Sequence, residues 1–136
     1  MTMQQYQNNM SDAPSDLLDR VRRSIESIRA PLTRSEYELH ELVADALYRG
    51  GLTAEHEVPI APRCRIDFCV GDVGIEVKRG KPNPVRLRSQ CERYLASDRI
   101  RALVLVVDTR AGLPERINGK PLTVIGLNRL WGIALP

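Results

Sequence analysis

The chain has 136 residues, the usual size of one domain, and 43% of them are hydrophobic, which is enough for a single core. Aromatic residues make up only 4%, so that core has to be built from Leu, Val, Ile and Ala. Cys64, Cys69 and Cys91 are odd in number and lack a CxxC spacing, which argues against a disulfide framework or a zinc knuckle. No apolar run has the length of a membrane span, and the polar N-terminus carries no signal pattern, so the expectation is a cytoplasmic protein with no membrane partner.

Residues 1–14 are rich in Gln, Asn and Ser without an apolar period and read as a disordered tail; 15–136 then form one domain. Ser15 can cap a first helix over Asp16 to Arg29, with the stripe Leu17, Leu18, Val21, Ile25 and Ile28. Ala30-Pro31 breaks it. A second helix runs from Ser35 to Arg49, with Leu39, Leu42, Val43, Ala46 and Leu47 on one side, and Gly50-Gly51 ends it. Strand patterns follow at Thr53 to Ile60, Arg65 to Val70 and Val73 to Lys78, then a helix at Pro84 to Ser97 with the stripe Leu87, Cys91 and Leu95. Ala102 to Val107 is a continuous β-branched and apolar run, the pattern of a central strand covered on both faces. A short strand at Leu122 to Gly126 and a helical turn around Asn128 to Trp131 complete the chain. The order predicts an α/β domain with a mixed sheet flanked by helices.

Gly71-Asp72 reads as a two-residue hairpin turn with Gly first, as in type II′. Pairing Val70 with Val73 then sets Asp67 directly opposite Glu76. Glu76 and Lys78 are two apart and share a strand face, while Ile75 and Val77 point the other way. Two carboxylates facing each other beside an apolar sheet repel and are costly to desolvate. A divalent cation such as Mg²⁺, which takes one or two carboxylates and keeps several waters, relieves that conflict. It would also activate a bound water and stabilise charge on a phosphate.

Two helical patterns extend this site. Gln90 and Tyr94 are i and i+4 on the helix that follows, with Gln90 at the edge of the apolar stripe. On the second helix, Glu36 falls within about 50° of the apolar centre and Glu38 about 110° away. Both also read as capping-box glutamates, Thr33-x-x-Glu36 and Ser35-x-x-Glu38, so Glu36 is the first candidate and Glu38 the second. From Lys78 to Arg101 there are eight basic residues opposed only by Glu92 and Asp98. This run is either a solvated helix face or a phosphate-facing surface, in which Arg79, Lys81, Arg86, Arg88 and Arg93 would contact nucleic acid. His40 and His56 are isolated and read as a helix-surface and a strand residue. No nucleophile elbow and no glycine-rich phosphate loop is present.

Taken together, Ser35-Glu36-x-x-Leu39, Ile66-Asp67, Ile75-Glu76-Val77-Lys78 and Gln90-x-x-x-Tyr94 resemble the PD-(D/E)XK nuclease superfamily, and the last element resembles its RecB-like branch. The resemblance covers about residues 35–108. It implies a restriction-endonuclease-like αβββαβ core with an extra N-terminal helix, and an Mg²⁺- or Mn²⁺-dependent deoxyribonuclease of structure-specific or repair type. Asp67, Glu76 and Glu36 would bind the metal, Lys78 would assist the water, and Gln90 and Tyr94 would orient the site or the DNA strand. Ile66 stands where the family has its proline. Three cysteines cannot hold the four-cysteine iron–sulfur cluster of some relatives. With no target-recognition domain, a homodimer or a subunit of a larger complex is expected, and the first helix offers surface for it. The alternative is a catalytically silent module that binds nucleic acid or protein on the same fold.

Overall fold

The computed structural model describes residues 16–29, 35–108 and 112–127. The tail at 1–14 and the turn at Asn128 to Trp131 lie outside them. Among the described residues, the three helices α1 (residues 16–26), α2 (Glu36–Arg49) and α3 (Pro84–Leu95) flank an open six-stranded mixed sheet. Its strands are β1 (Glu55–Ala61), β2 (Cys64–Val70), β3 (Val73–Lys78), β4 (Ala102–Val107), β5 (Arg116–Ile117) and β6 (Lys120–Gly126), in the order β1-β2-β3-β4-β6-β5. β1, β2 and β3 form an antiparallel meander. α3 then carries the chain back so that β4 lies parallel to β3, and β6 lies parallel to β4. None of the described helices is long and apolar enough to cross a membrane.

Two apolar layers hold the sheet. On one face, Val21, Ile25 and Ile28 of the α1 region and Leu39, Val43 and Leu47 of α2 cover Val73, Ile75 and Val77 of β3 and the even-numbered residues of β4. On the other, Leu87, Cys91, Tyr94 and Leu95 of α3 cover Leu103, Leu105 and Val107. Each such side chain contributes about 1.5–3 kcal/mol when fully buried, which is why all six residues of β4 are apolar and buried. The apolar stripe of α1 is spent inside this chain's own core, leaving its polar side outward rather than a free apolar surface for a second copy. All three cysteines are buried thiols.

Caps and turns follow local chemistry. Ser35 caps α2, its hydroxyl accepting from the Glu38 amide at 3.2 Å. Asn83 caps α3 by accepting from the amides of Val85 and Arg86, and Pro84 occupies the first turn, where its missing N–H is harmless. Gly71 takes φ +58, as the first turn position of a type II′ hairpin requires.

β2 departs from the regular alternation at one point. Ile66 and Phe68 are two apart, yet Ile66 joins the α3 layer and Phe68 the α1–α2 layer. Asp67 stands where the strand turns over. Across β1, His56 pairs with Phe68 and Val58 with Ile66, so Glu57 lies opposite Asp67, and its φ is +48. A left-handed non-glycine residue costs about 1–2 kcal/mol. The meander therefore carries backbone strain beside Asp67.

Candidate active site

The hairpin register runs Phe68 to Ile75, Cys69 to Gly74 and Val70 to Val73, which carries Asp67 to the level of Glu76. There the ladder opens and the two carboxylates take over its hydrogen bonds. Glu76 Oε1 accepts from the Asp67 amide at 3.0 Å, and Asp67 Oδ2 accepts from the Val77 amide at 2.8 Å. Each acidic side chain is thus tied through one oxygen to the partner strand, with Glu76 buried and Asp67 half-exposed. Among the described residues Glu76 is the only charged one that is buried, at 4% exposure.

The second oxygen of Glu76 is held by α3. The Tyr94 hydroxyl lies 2.8 Å from Glu76 Oε2, the Gln90 amide nitrogen donates to both Oε2 (3.3 Å) and the Tyr94 oxygen (2.8 Å), and Lys78 Nζ stands 3.4 Å from Oε2. Tyr94 is nearly fully buried at 2% exposure, and its hydroxyl also lies 3.2 Å from the Arg65 carbonyl. Gly74 makes room for this layer, since a Cβ there would stand 2.5 Å from the Ile66 side chain.

These contacts do not fully compensate for burial. Desolvation, followed by repulsion from Asp67, pushes the Glu76 carboxyl up to about 7 from 4.5. Burial also raises Asp67, against the pull of the Val77 hydrogen bond. Tyr94 is driven upward by burial and then by the Glu76 charge. Cys91, under the same layer, is pushed up to about 11, mainly by burial.

α2 supplies the other wall. Glu36 is its first residue, and its charge acts on Asp67, whereas Glu38 follows the Ser35 cap and does not line the cleft beside Asp67. His40, expected on the helix surface, instead reaches the site: Nε2 lies 3.5 Å from Asp67 Oδ2 and 4.0 Å from Glu36 Oε1. Its position one turn after Glu36, on the same helix face, was the signal available in the sequence.

The basic residues divide. Arg79 is ion-paired to Asp108 at 2.9 Å and Arg88 to Glu92 at 3.2 Å, so these two are less available to a ligand than the charge run suggested. Lys81, Arg86 and Arg93 form no ion pair among the described residues. Arg86, Gln90 and Arg93 share one face of α3 and, with Lys78, line a cleft of about 490 Å³. Asp67 opens instead into a separate cleft of about 620 Å³ on the α2 side. The three central groups are therefore gathered at the seam between an acidic and a basic opening.

Among the described residues no three His, Cys, Asp or Glu side chains form a ready-made metal cage. A hard divalent cation does not need one, because Mg²⁺ is commonly bound by one or two carboxylates plus waters. Two pinned, desolvated carboxylates fit that donor set. Comparison with models of known families, with characterised proteins and with solved structures gives no match for this chain.

Proposed function

We propose that this chain is a metal-dependent nuclease of the PD-(D/E)XK type that hydrolyses DNA phosphodiester bonds. One observation carries the reading: Asp67 and Glu76 are locked together across the opened hairpin, with the Lys78 ammonium 3.4 Å from the buried member of the pair. The αβββαβ order from α2 to β4 supports it as the core that the superfamily resemblance implies. Asp67 and Glu76 would hold Mg²⁺ or Mn²⁺, with Glu36 as the further carboxylate facing Asp67. When bound, such an ion lowers the pKa of a water ligand and neutralises charge on the phosphate.

The chain's own residues divide the remaining work. Tyr94 and Gln90 fix the Glu76 carboxylate by occupying Oε2. Lys78 is partly exposed and carries three donors, so it can orient the attacking water and stabilise charge growing on the phosphate oxygens. In the hydrolysis, the water oxygen forms a bond to phosphorus, the bond to the leaving alkoxide breaks, and the water's proton is finally balanced by protonation of that alkoxide. Arg86 and Arg93 lie on the face that continues from Lys78 and would hold the flanking phosphates.

The test is cutting of supercoiled, linear and single-stranded DNA by the full chain with Mg²⁺, with and without EDTA. Cleavage that EDTA abolishes is expected. Binding without any cutting would contradict the reading and leave a silent binding module. DNA binding should also weaken steeply with salt, and Arg86→Ala with Arg93→Ala should lower the slope of log K against log salt by about 1–2. An unchanged slope would remove α3 as the phosphate-contacting surface.

A further inference from the structure

The cleft on the α2 side is unlike the basic one. Its walls carry four ring side chains: Tyr37, His40, His56 and Phe68. Phe68 forms the floor and touches both histidines, His56 edge-on with centroids 4.9 Å apart and His40 tilted at 5.7 Å. Tyr37 stands at the mouth, 73% exposed, with Glu41 one turn along the helix. Glu36, Glu41 and Glu57 complete the rim.

A phosphate would be repelled by that rim. A flat, uncharged ligand with N–H groups at its edge would be accepted, because rings stack on its faces and carboxylates receive its donors. The cleft of about 620 Å³ has ample room for a base and opens onto Asp67. The geometry points to a nucleobase subsite: a base unstacked from single-stranded or frayed DNA enters between Tyr37 and the His40–Phe68–His56 floor, while its backbone runs over Lys78, Arg86 and Arg93. This inference rests on the nuclease reading and names its substrate class as an unpaired strand. The acidic rim further selects bases with amino donors. Guanine offers two adjacent donors to one carboxylate, adenine and cytosine offer an exocyclic amine, and thymine offers a single imide N–H between two carbonyls that the rim repels.

Binding of fluorescein-labelled oligonucleotides to the full chain tests this, with Ca²⁺ replacing Mg²⁺ to limit turnover, alongside Mg²⁺-dependent cutting by the same preparation. The wild type is expected to prefer single strands over duplex. Tyr37→Ala should weaken single-strand binding about tenfold, and oligo-dT should bind more weakly than mixed strands. Tyr37 is exposed, so the variant should keep the wild-type melting temperature. His56→Ala, which removes one ring of the floor, should weaken binding in the same direction. Equal affinity for duplex and single strand, or a Tyr37→Ala affinity within twofold of wild type, would overturn the subsite. If the protein cuts DNA while Tyr37→Ala changes nothing, only the subsite fails. If base-selective binding occurs without any cutting, the subsite stands and the nuclease reading fails.

Discussion

Lys78→Ala is expected to lower Mg²⁺-dependent cleavage at least about a hundredfold, the usual loss when a positioned charge facing a developing anion is removed. The fold should survive, because the Lys78 side chain is 31% exposed and its ion-pair partner, Glu76 Oε2, keeps Tyr94 and Gln90. Lys78→Arg should recover little, since a planar fork cannot replace a compact ammonium 3.4 Å from the carboxylate. Asp67→Ala should be equally inactive. Initial rates on a supercoiled plasmid, with melting curves as the control for folding, measure this. Wild-type rates in Lys78→Ala would remove the residue from the chemistry.

The second large effect is on stability. Glu76 titrates at about 7 in the folded chain against 4.5 for an unperturbed glutamate. Between those values the native state holds a proton that the unfolded state has released. The stabilisation is therefore fully present below pH 4.5 and is lost as pH rises towards and through 7. At about 1.4 kcal/mol per pH unit, the loss is at most about 3–4 kcal/mol, and the raised Asp67 carboxyl acts in the same direction. The metal-free protein should thus be less stable at pH 8 than at pH 5. Mg²⁺ at about a hundred times its dissociation constant should restore about 2.7 kcal/mol at pH 8. Asp67→Asn removes the repulsion but keeps an oxygen for the Val77 amide, so it should raise metal-free stability at pH 8. Urea melts in EDTA at the two pH values decide this. A flat profile, or a strong loss of stability in Asp67→Asn, would show that the acidic pair is structural.

Much of this site is legible in the sequence because it depends on short-range geometry. β3 and β4 have the boundaries that their apolar runs predict, and Gly71-Asp72 alone sets the register that brings Asp67 to Glu76. The i, i+4 spacing of Gln90 and Tyr94 likewise predicts their shared face, and both reach Glu76. What was hidden depends on tertiary contacts. The turnover of β2 at Asp67 lies opposite a left-handed Glu57 on the neighbouring strand, a conformation that no residue type there announces. β5 has two residues, too few for a period. The ion pair of Arg79 with Asp108, just past the end of β4, spans 29 residues and has no local signal. The ion pair of Arg88 with Glu92 was readable from its i, i+4 spacing. The shared face of His40 and Glu36 was readable from their i, i+4 spacing, but the approach of His40 to Asp67 depends on how α2 packs against β2.

The most direct test is a crystal structure of the full chain soaked with Mn²⁺, with the ion located by its anomalous scattering. The account predicts one Mn²⁺ bound by oxygens of both Asp67 and Glu76 at roughly 2.1 Å, with Lys78 beside it. An ion bound elsewhere, with the two carboxylates still closed on each other at saturating Mn²⁺, would contradict it.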